Sequence, residues 1–357
     1  MSFKKFRPCG DFRISYAADM SMFQDKSSFY LTLLGVFLLI LSPLIFDSYI
    51  ISLLIYIGFY GIAVLGLNIL VGFTGQISVG HAVFFGFGAF ASAWLSNKFF
   101  VPVWLAIPLA ATMTAFVGLI FGIPAARVKG LYLAIATLAA QFIMEDFFAR
   151  AAWFTGGVDG ASAKPFQLFN FYFDSDQRYF YVVLFWLIVS YVLATNLMRT
   201  RDGRAFLAVR DHYLSAEMMG INLMKYRILS FGISSFFAGL GGALYGHYLS
   251  FVSIEEFNIQ LSIFFLAMII IGGLGSIRGS LMGAAFMVLL PEVMDYLTRS
   301  LSDTSLDQML SLSSAIPFIK EASIGLVIIL FLIFEPNGLA YRWRQIRAWF
   351  KLYPFSY

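Results

Sequence analysis

The sequence predicts an all-α integral membrane protein of about ten transmembrane helices, with both termini on the cytoplasmic side. Three observations predict it. Of 357 residues, 60% are hydrophobic and only 12% charged, about half the ~25% charged residues of an ordinary soluble domain. Apolar runs long enough to cross a bilayer recur along the chain. Lysine and arginine are distributed unequally between alternate loops. The 41 Phe suit a lipid-facing wall, and the 18 Tyr and 6 Trp can anchor it at the interfaces.

Residues 1–28 read as a polar cytoplasmic segment of mixed charge, without the apolar core or cleavage site of a secretory signal. Spans are expected at about 29–46, 50–72, 81–97, 103–123, 131–148, 179–197, 226–247, 258–274, 279–296 and 322–335, which together make a transmembrane domain over 29–335. Residues 336–357 form a basic cytoplasmic tail. With the N-terminus inside, every Lys and Arg lies on the cytoplasmic side except Lys98, Arg150, Lys164, Arg178, Arg299 and Lys320. Positive charge resists translocation, so this bias supports an even number of spans. Losing one span would place either the loop 199–227 or the C-terminal arginine cluster outside.

The loop 199–227, RTRDGRAFLAVRDHYLSAEMMGINLMKYR, carries both signs of charge and spaced apolar residues at Phe206, Leu207, Val209, Tyr213, Leu214, Met218 and Met219. One or two short amphipathic helices broken at Gly220 fit this pattern. The plainer reading is a loop lying on lipid headgroups. The adjacent methionines favour an adaptable docking surface for a partner.

The segment Gly72 to Gly88, GFTGQISVGHAVFFGFG, is dense in glycine and small polar residues. Irregular backbone at membrane depth is tolerated only when buried in protein or lining a cavity. Asn68, Thr74, Gln76, Ser78 and His81 are therefore candidates for a translocation pathway, against the alternatives of close helix crossing and, for His81, a structural hydrogen bond. Thr137 and Gln141 lie four apart on one face of a span and join these candidates, or else bond across helices. Glu145 and Asp146 are expected near the outer end, in solvent. The external loop 149–178 contains WFTGGVDGASAKP, whose Thr155, Gly156, Gly157 and Asp159 suggest tight turns that can meet an external partner or simply lie exposed. IGGLGSIRG at 271–279 lacks the GxxxxGK[ST] spacing and follows a span, which excludes nucleotide binding there; Arg278 reads as an anchor to lipid phosphates. A single cysteine, Cys9, and three separated histidines offer no metal centre, and neither a cofactor nor a nucleic-acid partner is expected.

In these same residues the chain resembles a known family. GLNILVGFTGQISVGHAVFFGFGAF, ARVKGLYLAIATL, FTGGVDG, GRAFLAVRDHYLSAEMMGINLMKYR, FAGLGGALYG, IIIGGLGSIRG and FEPNGL occur in the order found in LivM-type permeases, one of two homologous permeases in the branched-chain amino acid class of bacterial ABC importers. The class includes urea, amide and aromatic-acid uptake systems. The resemblance covers about residues 50–340. It implies a type II ABC importer permease fold in the inner membrane and translocation by alternating access. It also implies a second homologous permease subunit, two cytoplasmic ABC ATPase subunits and an extracytoplasmic solute-binding protein. Ala216 and Gly220 match the Ala-x-x-x-Gly spacing of the importer coupling motif, with Arg204, Arg210, Asp211, Glu217, Met218 and Ile221 around it as ATPase contacts. The chain departs from the family pattern at Gln141, where relatives often carry Glu, at Glu335 and at His81; these departures bear on the solute.

Two other function classes compete. A proton-coupled secondary carrier or a channel would place an acid or base mid-span, yet Asn68, Thr137 and Gln141 are neutral. An enzyme would need paired acids, an activated nucleophile or metal ligands, and no such constellation occurs; catalytic residues are expected to be absent, ATP being hydrolysed by partner subunits.

Overall fold

The computed structural model describes residues 26–168, 171–302 and 312–352; most of the expected N-terminal segment 1–28 and the last five residues of the tail lie outside the described residues. The chain enters through α1 (Lys26–Ile45) and α2 (Ser48–Asn68), which a single π-helical turn extends over Ile69–Phe73. There follow α3 (His81–Lys98), α4 (Val103–Ala125) and α5 (Leu131–Arg150). The next loop holds a one-turn helix α6 (Ala152–Thr155), a 3-10 turn (Gly157–Asp159), β1 (Ala161–Ser162), β2 (Gln167–Leu168) and β3 (Phe171–Tyr172). Beyond it come α7 (Asp176–Arg199), the short α8 (Arg201–Asp211) and α9 (Tyr213–Met218), and the long α10 (Leu223–Leu249). Then β4 (Phe251–Val252) and a 3-10 turn (Ile254–Phe257) lead into α11 (Ile259–Gly272), α12 (Ile277–Ser302), α13 (Leu312–Phe334) and α14 (Leu339–Leu352).

Helix α10 is the centre of the bundle and packs on α2, α3 and α4. Its sequence FFAGLGGALYG explains why. A Cβ at Gly242 would overlap the Phe85 carbonyl oxygen, and one at Gly239 would strike Thr114, so only glycine lets α3 and α4 approach this closely. Around this crossing α2 also meets α7 and α12, while α12 joins α11 and α13. The outer surface is apolar: α1 exposes Leu31, Leu34, Phe37 and Leu38, and α5 exposes Ile135, Phe142 and Ile143, as a lipid-facing or subunit-facing wall requires.

Among the described residues, six helices are by themselves long and apolar enough to span a bilayer, and a seventh span results if Ala322–Phe334 and Leu339–Trp349, bent by 49°, count together. This is fewer than the ten apolar runs, although each run falls on a helix. The shortfall has a physical cause in α3 and α11. The stretch 74–80 is non-helical and turns back into the bundle, so that His81 at the start of α3 meets the carbonyl of Ala63, well inside α2. Nearly all of α3 is buried by protein, so His81, Ser92 and Ser96 are tolerated in it. At the other end the turn Ile254–Phe257 drives Phe257 between Phe85 and Phe90; α11 begins deep and runs only 14 residues, roughly 21 Å at 1.5 Å per residue.

The loops gather at two ends. Arg210 reaches Gly72, Arg227 reaches Ala126, and Gly275 reaches Asn68, which brings the stretches 74–80, 126–130, 200–222 and 273–276 to one arginine-rich end. At the opposite end β1 pairs with β4, Lys164 donates to the Ser96 carbonyl and Asn97 to the Ser162 carbonyl.

Candidate functional site

The predicted residues fall into three groups, and the first is a buried polar junction. Gln141, on the inward face of α5, donates from Nε2 to the Phe257 carbonyl at 2.8 Å and to Glu145 Oε1 at 2.7 Å. Its Oε1 accepts from Ser262 Oγ at 3.0 Å, and Ser262 Oγ in turn accepts from the Ala82 N–H at 2.9 Å. The N-termini of α3 and α11 therefore meet at one glutamine. Glu145, expected in solvent, is half-buried because Gln141 holds it one turn away. Thr137, one turn before Gln141, accepts from the Val79 N–H at 3.0 Å and clips the stretch 74–80 to α5. His81 is fully enclosed and donates to the Ala63 carbonyl at 3.0 Å. Gln76 Nε2 donates to Ser230 Oγ at 2.6 Å on α10. Gln76 Oε1, Ser78 Oγ and, one turn beyond Ser230, Ser234 Oγ are buried with no protein hydrogen-bond partner. Such groups are costly unless the site has a further use.

The second group ties the junction to the arginine-rich end. Asn68 closes α2 just before the π turn. It donates from Nδ2 to the Ser276 carbonyl at 2.9 Å and to Ser280 Oγ at 2.7 Å, and accepts the Gly275 N–H at 2.9 Å on Oδ1. Thr74 caps the π turn by donating to the Leu70 carbonyl at 2.6 Å. Arg210 comes up from α8. Its Nη1 donates to the Gly72 carbonyl at 2.6 Å, and its Nε to Asp211 Oδ1 at 2.8 Å. Its stem lies against Gly75 and its guanidinium against Gly275, both left-handed at φ +70° and +72°. A side chain at either glycine would be strained and would crowd the arginine.

The arm that carries Arg210 consists of α8 and α9. It breaks at His212, with φ −148° and ψ 81°, and not at Gly220, which instead turns the chain toward α10 at φ +83°. The difference is local: Thr200 and Asn222 side chains already cap α8 and α10, so Gly220 is left to make the exit turn. Phe206, Val209 and Ala216 are buried on the underside. Tyr226 donates to Asp202 Oδ1 at 3.1 Å, and Lys129 Nζ sits 3.7 Å over the Tyr213 ring. The tip is bare: Met218 is 88% exposed and Met219 85%, with Leu214, Glu217 and Gly220 beside them. Arg204 and Asp211 are exposed as well, and the Ile221 N–H closes α9 on the Ala216 carbonyl.

The third group lies at the opposite end. Thr155 is fully buried and donates to the Phe148 carbonyl at 2.6 Å while accepting the Gly157 N–H at 3.1 Å. Gly156, Gly157 and Gly160 all adopt positive φ. These bonds turn Val158 and Asp159 outward into solvent. Ser230, Ser262 and Ser280 belong to the network although the sequence reading passed over them. Each is a hydroxyl inside an expected span, and that polarity was the available signal.

Such a bundle, with an exposed arm bonded to the ends of its core helices, is a polytopic membrane subunit built for transport. Residues 49–333 match the family described as branched-chain amino acid transport system / permease component, and the chain belongs to that family. It is similar to the high-affinity branched-chain amino acid transport system permease protein LivM of Escherichia coli, 28% identical over 304 residues that cover 78% of this chain and 67% of that one. The probable branched-chain amino acid transport permease protein LivM of Methanocaldococcus jannaschii is 26% identical over 240 residues, 66% of this chain and 67% of that one. The autoinducer 2 import system permease protein LsrC of Klebsiella pneumoniae matches over a shorter stretch, 27% identical over 116 residues, 30% of this chain and 34% of that one. No solved structure matches. The chain is thus a multi-pass permease component of the cytoplasmic membrane and not the catalytic subunit of its system.

Proposed function

We propose that this chain is the permease subunit of an ATP-driven ABC importer that moves branched-chain amino acids, the solutes in the names of its LivM relatives, or a closely related small polar solute. It pairs with a second homologous permease, docks two cytoplasmic ABC ATPases on the segment 199–227 and receives solute from an extracytoplasmic binding protein. In this reading residues 29–335 cross the bilayer ten times, with the segments 1–28 and 336–357 in the cytoplasm. The type II importer fold of the family and the arrangement of loops at two ends support that count.

The observation that carries the reading is the Arg210 contact. One side chain joins an arm with a bare methionine tip to the Gly72 carbonyl, where α2 ends and where the 273–276 turn lies against it. Movement of the arm by an ATPase would therefore pull on α2 and on the α11–α12 turn together. Asn68 and Thr74 transmit that pull, and Gln76, Ser78, His81, Thr137 and Gln141 line the path that opens; Thr155, Gly156, Gly157 and Asp159 meet the binding protein. Alternating access follows, because an ordered polar junction cannot face both sides at once. Uptake of labelled leucine by proteoliposomes containing the assembled permease and ATPases tests this. Uptake is expected only with binding protein outside and ATP on the ATPase side. Equal, gradient-driven uptake by the permeases alone would overturn the proposal in favour of a secondary carrier.

A further inference from the structure

A cavity of about 350 Å³ opens between α1, α7, the start of α12 and α14, and no function described above uses it. Three arginines line it: Arg278 from the first turn of α12, and Arg344 and Arg347 from α14. Among the described residues that line it, none is acidic. Tyr191 and Trp343 also face the cavity; Tyr191 Oη stands 3.3 Å from Arg278 Nε, and the backbone of Ser276 presents the start of α12.

The cavity's depth identifies what it would hold. Tyr191 lies two turns above the end of α7 at Arg199, and the α1 wall belongs to a helix that exposes Leu31 and Leu34. On the bilayer placement proposed above, the mouth opens where phosphates meet acyl chains. Helix α14 has the composition of an interfacial helix, with arginines interleaved with the half-exposed Trp343, Ile346 and Trp349. The 49° bend after α13 turns it away from the axis of that span. The bend is fixed: a Cβ at Gly338, itself at φ +72°, would press on Gly273.

We propose that this cavity is a binding site for the phosphate group of an anionic phospholipid, in the leaflet on the arginine-rich side. On the orientation proposed above that is the cytoplasmic leaflet. The guanidiniums take the phosphate oxygens, Tyr191 and Trp343 frame the headgroup, and the acyl chains run along α1. A bound lipid would join the α11–α12 turn to the C-terminal helix.

Native mass spectrometry of the full chain, purified with its co-purifying partners and exchanged into neutral detergent, tests the site. Phosphatidylglycerol and phosphatidylcholine are titrated in turn. The expected result is one saturable phosphatidylglycerol, retained over phosphatidylcholine and not displaced by inorganic phosphate. Arg344→Gln and Arg347→Gln should each lower retention roughly fivefold, and Arg127→Gln, on the same end but outside the cavity, should leave it unchanged. Arg278→Gln, whose side chain comes from a different helix, repeats the test should the α14 variants fail to fold. Equal retention in all variants, equal retention of phosphatidylcholine, or displacement by inorganic phosphate, which would mark a soluble-anion site, overturns the proposal.

Discussion

The loop 149–178 and the segment 199–227 are the two largest connections at opposite ends of the molecule, and they are held in different ways. The outer loop is closed on itself. Thr155 bonds to the Phe148 and Ala151 carbonyls, β1 pairs with β4, and Lys164 and Asn97 tie the loop to the end of α3. The arm within 199–227 has a bare apolar tip and a few contacts at its base, of which Arg210 to Gly72 reaches furthest into the bundle. A loop fixed at many points can present a constant surface to a partner. An arm fixed mainly at its root can swing, and it passes the motion through the residue at that root.

If the arm is the moving part, its tip should give the largest effect. Met218→Glu together with Met219→Glu puts two charges on the docking face, and truncating or charging such a hot spot costs about 2 kcal/mol or more. ATPase co-purification and ATP-driven uptake should both fall more than tenfold, while the yield of folded protein holds. Uptake at the wild-type rate would break the comparison. Arg210→Ala should come next. It removes a charged hydrogen bond worth about 1.5–3 kcal/mol. The ATPases should stay bound and hydrolyse ATP, but uptake per ATP should drop several-fold; loss of ATPase binding instead would make Arg210 part of the docking face.

At the fixed end, Thr155→Val should act on stability alone. It takes the hydroxyl donor from the Phe148 carbonyl and the acceptor from the Gly157 N–H, at about 1–3 kcal/mol. The melting temperature in detergent should fall, with uptake per folded molecule unchanged; reduced uptake at full stability would show that the outer loop also moves. The smallest effect concerns Glu256, on the turn beside β4. Burial raises its carboxyl above the usual range, against the lowering effect of hydrogen bonds with Tyr245 and Ser253. A folded-state pKa above the unfolded value favours the folded protein at low pH, and that advantage is lost as pH rises through the folded pKa. Thermal stability of the wild type should therefore decline from mildly acidic to neutral pH, and Glu256→Gln should flatten the decline. A parallel decline in the variant would place the titrating group elsewhere.

Much of the helical architecture was legible because a helix in lipid must be apolar for its whole length. Each of the ten apolar runs lies on a helix to within a few residues, and short helices in 199–227 were legible from Phe206, Leu207, Val209, Tyr213, Leu214, Met218 and Met219, whereas their break at His212 was not. The site was legible in residue type but not in arrangement. Asn68, Gln141 and Arg210 stand out as polar groups, yet their partners are Ser280, Ser262 and Gly72, far away in sequence. Only packing brings such pairs together. The depth of α3 was hidden for the same reason, since the turn back at 74–80 is held by bonds of its Val79 N–H and Gln76 to the distant Thr137 and Ser230. The π turn left no trace, because ILVGF is as apolar as the helix around it.

That turn makes the chain unusually tolerant of a one-residue deletion at one place. A π turn holds one residue more than the α-helical turn it replaces. Deleting a single residue within Ile69–Phe73 would let α2 wind regularly to its end, with no loss of apolar character. Because the extra residue is already accommodated within one turn, the residues that follow would keep their facing, and the approaches of Arg210 and Thr137 to this end of α2 would be retained. The same deletion in the regular part of α2 would rotate everything after it by about 100° about the helix axis. In a collection of random in-frame deletions, single-residue losses at Ile69–Phe73 should keep more transport than those a turn or two earlier in α2, a phenotype that reports on register rather than on any one side chain.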